Sequence, residues 1–282
     1  MKAILPAAGF GTRFLPITKV IPKEMLPLGS KPVIQHVVEE ALAAGFDEIL
    51  IIISESKEII RQYFEPMPKL ERHLLDLGKG ELVEQLRRLH DMADFRFAYQ
   101  PEMKGLGDAI LCAEAFAGAD DFAVLLADTV IHGTSPLAAM RDCLQQDGTS
   151  AVSMEPCPAD KLARYGVAGG SETRPGMLRL DQMVEKPGAA NAPQVRMLDG
   201  SSAHFAFAAR YVFKNAIMDC LRDCPPGLNG EIQLTDAMRS LMETDGFCGI
   251  LSEARRLDIG GPDGFLAAQI ALAESPALQS GK

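Results

Sequence analysis

The chain has 282 residues, and its 28 Lys and Arg against 38 Asp and Glu give a net charge of −10, so no global field favours a polyanion and any phosphate ligand must be held locally. Apolar residues make up 47% and charged residues 23%, a balance that excludes a disordered chain, and no apolar run approaches the roughly 20 residues of a bilayer span. Met1-Lys2 passes straight into apolar residues and a glycine loop, without the long apolar core of a signal peptide, so a soluble cytoplasmic protein with no nucleic-acid and no membrane partner is expected.

Residues 1–7 read as a short buried strand that runs into Ala8-Gly9-Phe10-Gly11-Thr12-Arg13. From Lys31 to Ala44 the apolar residues Val33, Ile34, Val37, Val38, Ala41 and Leu42 recur at three- and four-residue steps, predicting a helix that Gly45 caps. Glu48 to Ile53 is a run of Ile and Leu, the pattern of a strand buried on both faces. The alternation continues with a helix over 57–63, a charged helical stretch over 69–91, a strand at 95–99, a helix over 107–116, a strand at 122–126, a helix over 136–146 and a strand at 151–155. Such alternation predicts an α/β fold with a Rossmann-like, mostly parallel sheet flanked by helices. Ligands of such sheets bind beyond the carboxyl ends of the strands, where Gly9 to Arg13, Gln100 to Gly107 and Asp128 fall.

After residue 160 the texture changes. Gly-, Pro- and Asn-rich pieces at 166–176 and 188–200 interrupt shorter strands at 177–185 and 204–213, and helices are predicted over 215–224, 234–244 and 263–273. The expectation is a single domain over 1–282, with a first part at 1–160, a smaller β region at 161–260 and a C-terminal helix within 261–282, of which residues 279–282 fray. Cys112, Cys143, Cys157, Cys220, Cys224 and Cys248 include no C-x-x-C pair and the histidines are scattered, so no zinc site is expected and the thiols read as reduced.

Gly9-Phe10-Gly11-Thr12-Arg13 fits neither of two familiar glycine loops: Phe14 replaces the third glycine of a dinucleotide fingerprint, and the lysine of a P-loop is missing. Alone it could be a tight strand-to-helix turn. Its continuation sets Lys19 and Lys23 among Pro16, Pro22 and Pro27, which gives a rigid loop able to bring backbone N–H groups and positive charge to phosphate oxygens.

The run from Ala7 to Pro27 resembles the nucleotide-binding segment of sugar-nucleotide pyrophosphorylases, and Lys23-Glu24-Met25-Leu26-Pro27 is similar to the form found in bacterial UTP:glucose-1-phosphate uridylyltransferases. Further segments follow in that family's order: Gln100 with Gly105-Leu106-Gly107, Leu125-Leu126-Ala127-Asp128, Val184-Glu185-Lys186-Pro187, and Gly230-Glu231-Ile232-Gln233-Leu234-Thr235-Asp236. The resemblance spans nearly the whole chain. It implies uridylyl transfer from UTP to glucose 1-phosphate, a Mg²⁺ cofactor, a homo-oligomer, a nucleotide-binding part at 1–160 and a sugar-binding part at 161–260.

Carried over to matching positions, the resemblance makes Arg13 and Lys23 the catalytic cations and assigns the nucleotide to Ala7, Ala8, Gly9, Gly11, Thr12, Glu24, Gln100 and Gly105. Gln100 would read the base, since an amide offers both a donor and an acceptor to the uracil edge, and Gly105 would let the backbone approach it. Gly166, Glu185 and Lys186 would hold the sugar phosphate, and Asp128 and Asp258 the metal. By residue type alone, an ordinary turn is the other reading of Asp128, of Glu185-Lys186 and of Gly166. The chain also departs from its relatives: Asp108 stands where His is common, Thr129 where a second acid or an aliphatic residue is, Ala209 where Gly is usual, and residues 194–202 look inserted. These changes leave open a transferase for dTTP or another sugar 1-phosphate, or a binding-only paralogue. A dehydrogenase is disfavoured by the incomplete glycine fingerprint.

Overall fold

The structure, a computed structural model, describes residues 1–227 and 230–274. The fraying expected at 279–282 lies outside the described residues. β1 (Lys2–Pro6) occupies the interior of the sheet, with Ala3, Ile4 and Leu5 fully buried. The glycine loop follows, and a short ribbon of β2 (Pro27–Leu28) and β3 (Lys31–Pro32) leads into α1 (Val33–Ala43). The predicted periodicity is the buried face of α1, and Gly45 at φ 86° turns the chain towards β4 (Glu48–Ile53). After α2 (Glu58–Phe64), the stretch read as one charged helix is two, α3 (Pro68–Asp76) and α4 (Gly80–His90), separated where Gly78 takes φ 69°.

β5 (Asp94–Tyr99) is followed by α5 (Leu106–Leu111) and α6 (Glu114–Ala117), which divide the single helix predicted at 107–116. Then come β6 (Phe122–Leu125), β7 (Thr129–His132), α7 (Leu137–Asp147) and β8 (Ala151–Pro156). The glycine-rich piece 166–176 is no interruption: β9 (Gly166–Arg174) pairs antiparallel with β10 (Met177–Glu185). Its glycines serve close packing, since a Cβ on Gly170 would lie 2.1 Å from the Arg179 carbonyl oxygen and one on Gly169 2.8 Å from Pro193.

The 194–202 stretch supplies β11 (Val195–Arg196) and β12 (Ser202–Ala203) at the sheet edge. β13 (Phe205–Phe213) is buried along its whole length, and α8 (Ile217–Asp223), α9 (Leu234–Asp245), β14 (Cys248–Leu251), β15 (Arg255–Asp258) and α10 (Pro262–Ala273) complete the order. One sheet, ordered β12-β11-β9-β10-β14-β8-β13-β6-β1-β4-β5, runs through both parts of the chain. Parallel pairing holds in β6-β1-β4-β5 and between β8 and β14, whereas β13 runs antiparallel between β6 and β8. Helices cover both faces. One core layer packs under α1 and α7, the other under α5, α8 and α9.

Beneath the carboxyl ends, fully buried Arg210 donates to both carboxylate oxygens of Glu40, at 2.9 and 2.6 Å, and to the carbonyl oxygens of Thr129 and Ala209, tying α1, β7 and β13 together. Its neighbour Ala209 sits at φ 64°, a left-handed conformation that Cβ disfavours and glycine adopts freely. Ala209→Gly is therefore expected to raise stability by about 0.5–1 kcal/mol. Urea denaturation checks this: the midpoint should rise with an unchanged slope, and an unmoved or lowered midpoint would refute the strain.

Candidate active site

Two cavities of about 450 Å³ each open at the carboxyl ends of β1 and β6. One is walled by Ala7, Ala8, Gly9, Gln100 and Gly105, the other by Gly166, Glu185, Lys186 and Asp258. They share a wall that includes Gly11, Thr12, Lys23 and Asp128, so the residues expected to hold two substrates line two halves of one cleft and the expected reacting groups stand between them.

The loop after β1 turns away from the sheet, and among the described residues the N–H groups of Ala8, Gly9 and Gly11 have no protein acceptor. A Cβ on Gly9 would meet nothing within 4 Å, and Gly11 takes φ 65°. These features leave N–H groups able to face an anion closely. Ala7 differs from the expectation: its N–H donates to the Ile52 carbonyl oxygen at 2.8 Å, and its own carbonyl accepts from Lys57 Nζ at 2.6 Å. Ala7 therefore anchors the loop, while Ala8 and Gly9 present it.

Lys23 lies on a short 3₁₀ turn and its ammonium is ion-paired with Asp128. Burial pulls the Lys23 ammonium down, but Asp128, Glu24 and Asp258 outweigh it, so the lysine is held above its ordinary range and charged. Burial pushes the Asp128 carboxyl up, and Lys23 with Lys57 more than reverses this, keeping it ionised. Arg13 reaches the Gly260 carbonyl oxygen at 3.4 Å from the exposed rim.

Glu24, expected to contact the nucleotide, is almost wholly buried at 1% exposure, and its Oε2 accepts from Lys57 Nζ at 2.8 Å. It borders the half that Gln100 lines, but its carboxylate serves Lys57 and thereby the loop. Lys57 was invisible in the sequence because it sits at the start of a charged helix, where a lysine reads as solvated. Gly105 also has another reason for being glycine than the one expected: at φ 99°, a Cβ there would lie 2.8 Å from Glu231 Cβ and 2.9 Å from the Ile232 carbonyl oxygen. Packing of the 231–232 segment against it excludes a side chain by itself.

In the other half, Glu185 Oε2 accepts from Thr235 Oγ1 at 2.6 Å, while Lys186 Nζ lies 3.3 Å from Glu185 Oε1. Lys186 takes φ 47°, a backbone strain of the kind that accumulates at functional sites. A Cβ on Gly166 would strike the Phe207 ring at 2.5 Å. Thr235, inside the 230–236 segment, is a site residue whose role the sequence did not specify.

The antiparallel pair β7–β15 sets Asp258 opposite Thr129 and thus beside Asp128, from more than a hundred residues away in the chain. A Cβ built on Gly260 would lie 2.8 Å from Asp258 Oδ1, 3.9 Å from Asp128 Oδ2 and 3.2 Å from Arg13 Nη1, so both carboxylates and the guanidinium converge there. Two carboxylates suit Mg²⁺, which typically takes one or two from protein and fills its sphere with water and substrate phosphates. Among the described residues no group of three or more His, Cys, Asp or Glu side chains could hold a metal by itself. Residues 194–202 line neither half of the cleft, whereas Ala209 and Thr129 border the half that Glu185 and Lys186 line.

Residues 2–275 match the nucleotidyl transferase family. The chain is 38% identical over 273 residues to the UTP–glucose-1-phosphate uridylyltransferase of Bacillus subtilis, covering 96% of this chain and 90% of that protein. The enzyme of the same description from Pseudomonas aeruginosa is 37% identical over 270 residues, covering 95% and 94%. Among solved structures, a UDP-glucose pyrophosphorylase complexed with UDP-glucose matches with TM-score 0.84 at 35% identity, over 97% of this chain and 98% of that one. A UTP-bound enzyme from Acinetobacter baumannii matches with TM-score 0.87 at 31% identity, over 100% and 99%. Among the described residues no helix is long and apolar enough to cross a membrane.

Proposed function

This chain belongs to the nucleotidyl transferase family, and from that premise we propose that it transfers the uridylyl group of UTP to glucose 1-phosphate, giving UDP-glucose and pyrophosphate. The observation that supports this most is the two-part cleft, with a nucleotide half and a sugar half meeting at Gly11, Thr12, Lys23 and Asp128. A binding-only protein would not need charged groups concentrated at that junction.

In the reaction, a phosphate oxygen of glucose 1-phosphate attacks the α-phosphorus of UTP in line; the new O–P bond forms as the bond to the β-phosphate oxygen breaks, and pyrophosphate leaves with that electron pair. The nucleophile is already ionised, so the protein's task is positioning and charge neutralisation. Ala8, Gly9 and Gly11 offer N–H groups to the triphosphate, with Ala7 and Glu24 fixing the loop beneath it. Lys23, released from Asp128 by the incoming phosphates, and Arg13 balance charge around the α-phosphorus and the leaving group. Glu185 accepts from glucose hydroxyls, positioned by Thr235, and Lys186 pairs with the 1-phosphate. Asp128 and Asp258 would hold Mg²⁺, which when bound supplies Lewis-acid neutralisation of the phosphates.

Purified protein is expected to release pyrophosphate from UTP plus glucose 1-phosphate when Mg²⁺ is present and to stop when a chelator is in excess. A coupled pyrophosphate assay across nucleoside triphosphates and sugar 1-phosphates measures this. Undiminished turnover in chelator would remove the metal from the reading, and silence with every substrate pair would favour a binding-only role.

A further inference from the structure

We propose that Asp108 determines base selection by fixing which end of the Gln100 amide faces the nucleotide. The idea rests on UTP being the nucleotide bound and adds a residue to that site. Gln100 follows β5 directly, its backbone N–H donates to the Ile53 carbonyl oxygen at 2.9 Å, and only 5% of the residue is exposed. Its Nε2 donates to Asp108 Oδ2 at 2.7 Å and to the Gly105 carbonyl oxygen at 3.2 Å. An amide nitrogen carries two hydrogens, and here each has an acceptor. A carboxylate and a carbonyl can only accept, so turning the amide over would set its oxygen against two other oxygens.

Oε1 is thereby left over. Among the described residues it has no protein partner, and no fully buried side-chain polar atom lacks one, so Oε1 is open to the cavity that Gln100 lines. The amide accordingly shows the base an acceptor alone, not the donor-and-acceptor pair expected from the residue type. Uracil carries a hydrogen on N3 and can donate to that oxygen. Cytosine has an unprotonated nitrogen at the same place, which would face Oε1 lone pair to lone pair. Rejection of an edge that cannot pair with a buried polar group is the strong kind of discrimination.

Asp108 lies on α5, behind Gln100, and does not itself line either half of the cleft. It is a positioning residue, and its loss should free the amide to turn. Asp108→Ala leaves only the Gly105 carbonyl oxygen to orient Gln100, and Asp108→Leu, of nearly the same shape as Asp, likewise lacks the acceptor. In both variants the ratio of kcat/KM for UTP over CTP, with glucose 1-phosphate as co-substrate, is expected to fall by about 10-fold or more. Much of the change should appear as improved use of CTP.

A residue that only supports the fold would lower turnover with both nucleotides and leave the ratio alone. An unchanged UTP/CTP ratio in folded Asp108→Ala overturns the proposal; if that variant does not fold, the ratio in the similarly shaped Asp108→Leu decides in the same way. A wild-type protein that binds neither UTP nor a non-reactive UTP analogue would instead refute the underlying assignment of the nucleotide. The two failures are therefore told apart by the wild-type measurement alone.

Discussion

Replacing Lys23 with alanine is expected to lower kcat/KM for UTP by about 100-fold or more, the effect of losing one preorganised charge contact to a transferring phosphoryl group, roughly 3–4 kcal/mol. The structure gives this lysine two attributes that a solvated loop lysine lacks. Its charge is maintained against burial by Asp128, Glu24 and Asp258, and it stands in the wall shared by both halves of the cleft. Lys23→Arg should recover part of the loss, because the charge returns but on a longer, planar group that cannot occupy the same point. Steady-state kinetics with circular dichroism as a folding control provide the measurement. A folded Lys23→Ala enzyme with near-normal kcat/KM would return Lys23 to the role of a structural partner for Asp128.

What the sequence revealed followed from periodicity and local chemistry. The alternation from β1 to β8 is legible because each buried strand must be a short apolar run and each covering helix an amphipathic one, as in Glu48–Ile53 and Val33–Ala43. The second part is harder to read for a specific reason. Gly169 and Gly170 look like loop residues but lie in a strand, where the Arg179 backbone and Pro193 leave no space for a Cβ. Antiparallel insertion of β13 likewise depends on pairings with β6 and β8 that no local pattern encodes.

The site shows the same division. Arg13, Lys23, Asp128, Glu185 and Lys186 were picked out by the family resemblance of their segments, since by residue type alone Asp128 and Glu185-Lys186 also fit ordinary turns, and all of them line the cleft. The meeting of Asp258 with Asp128 depends on the β7–β15 pairing, which the spacing of the two aspartates does not disclose. Partnerships were the least visible feature. Glu24 and Gln100 were assigned to the nucleotide through the resemblance, but each is committed to a second residue, Lys57 or Asp108. Such pairing decides which atoms remain for a ligand.

The Lys57–Glu24 pair carries the largest expected effect on stability. Lys57→Met should destabilise the protein by about 3–5 kcal/mol at neutral pH, the range for leaving one member of a buried ion pair without its partner. The side chains of Lys57 and Glu24 are only 5% and 2% exposed, so water cannot replace the lost contact. The pH dependence has a definite sign. Burial already pushes the Glu24 carboxyl above its ordinary range, and Lys57 is the leading influence pulling it back, so in Lys57→Met the folded-state value rises further above the unfolded one. The folded protein then binds more protons than the unfolded, stability falls as pH rises, and the cost is relieved as pH drops towards the range where Glu24 folds protonated. Adding Glu24→Gln removes the stranded charge, so the double variant should regain much of the loss and its pH dependence should flatten. Lys57 also holds the Ala7 carbonyl at 2.6 Å, so the double variant is expected to stay weaker than wild type in binding UTP even where stability returns. Urea denaturation of wild type and the two variants between pH 5 and 8, with UTP titration of the double variant, separates these effects. A loss below about 1 kcal/mol for Lys57→Met, or one that grows on acidification, would show that the nucleotide loop does not depend on this pair.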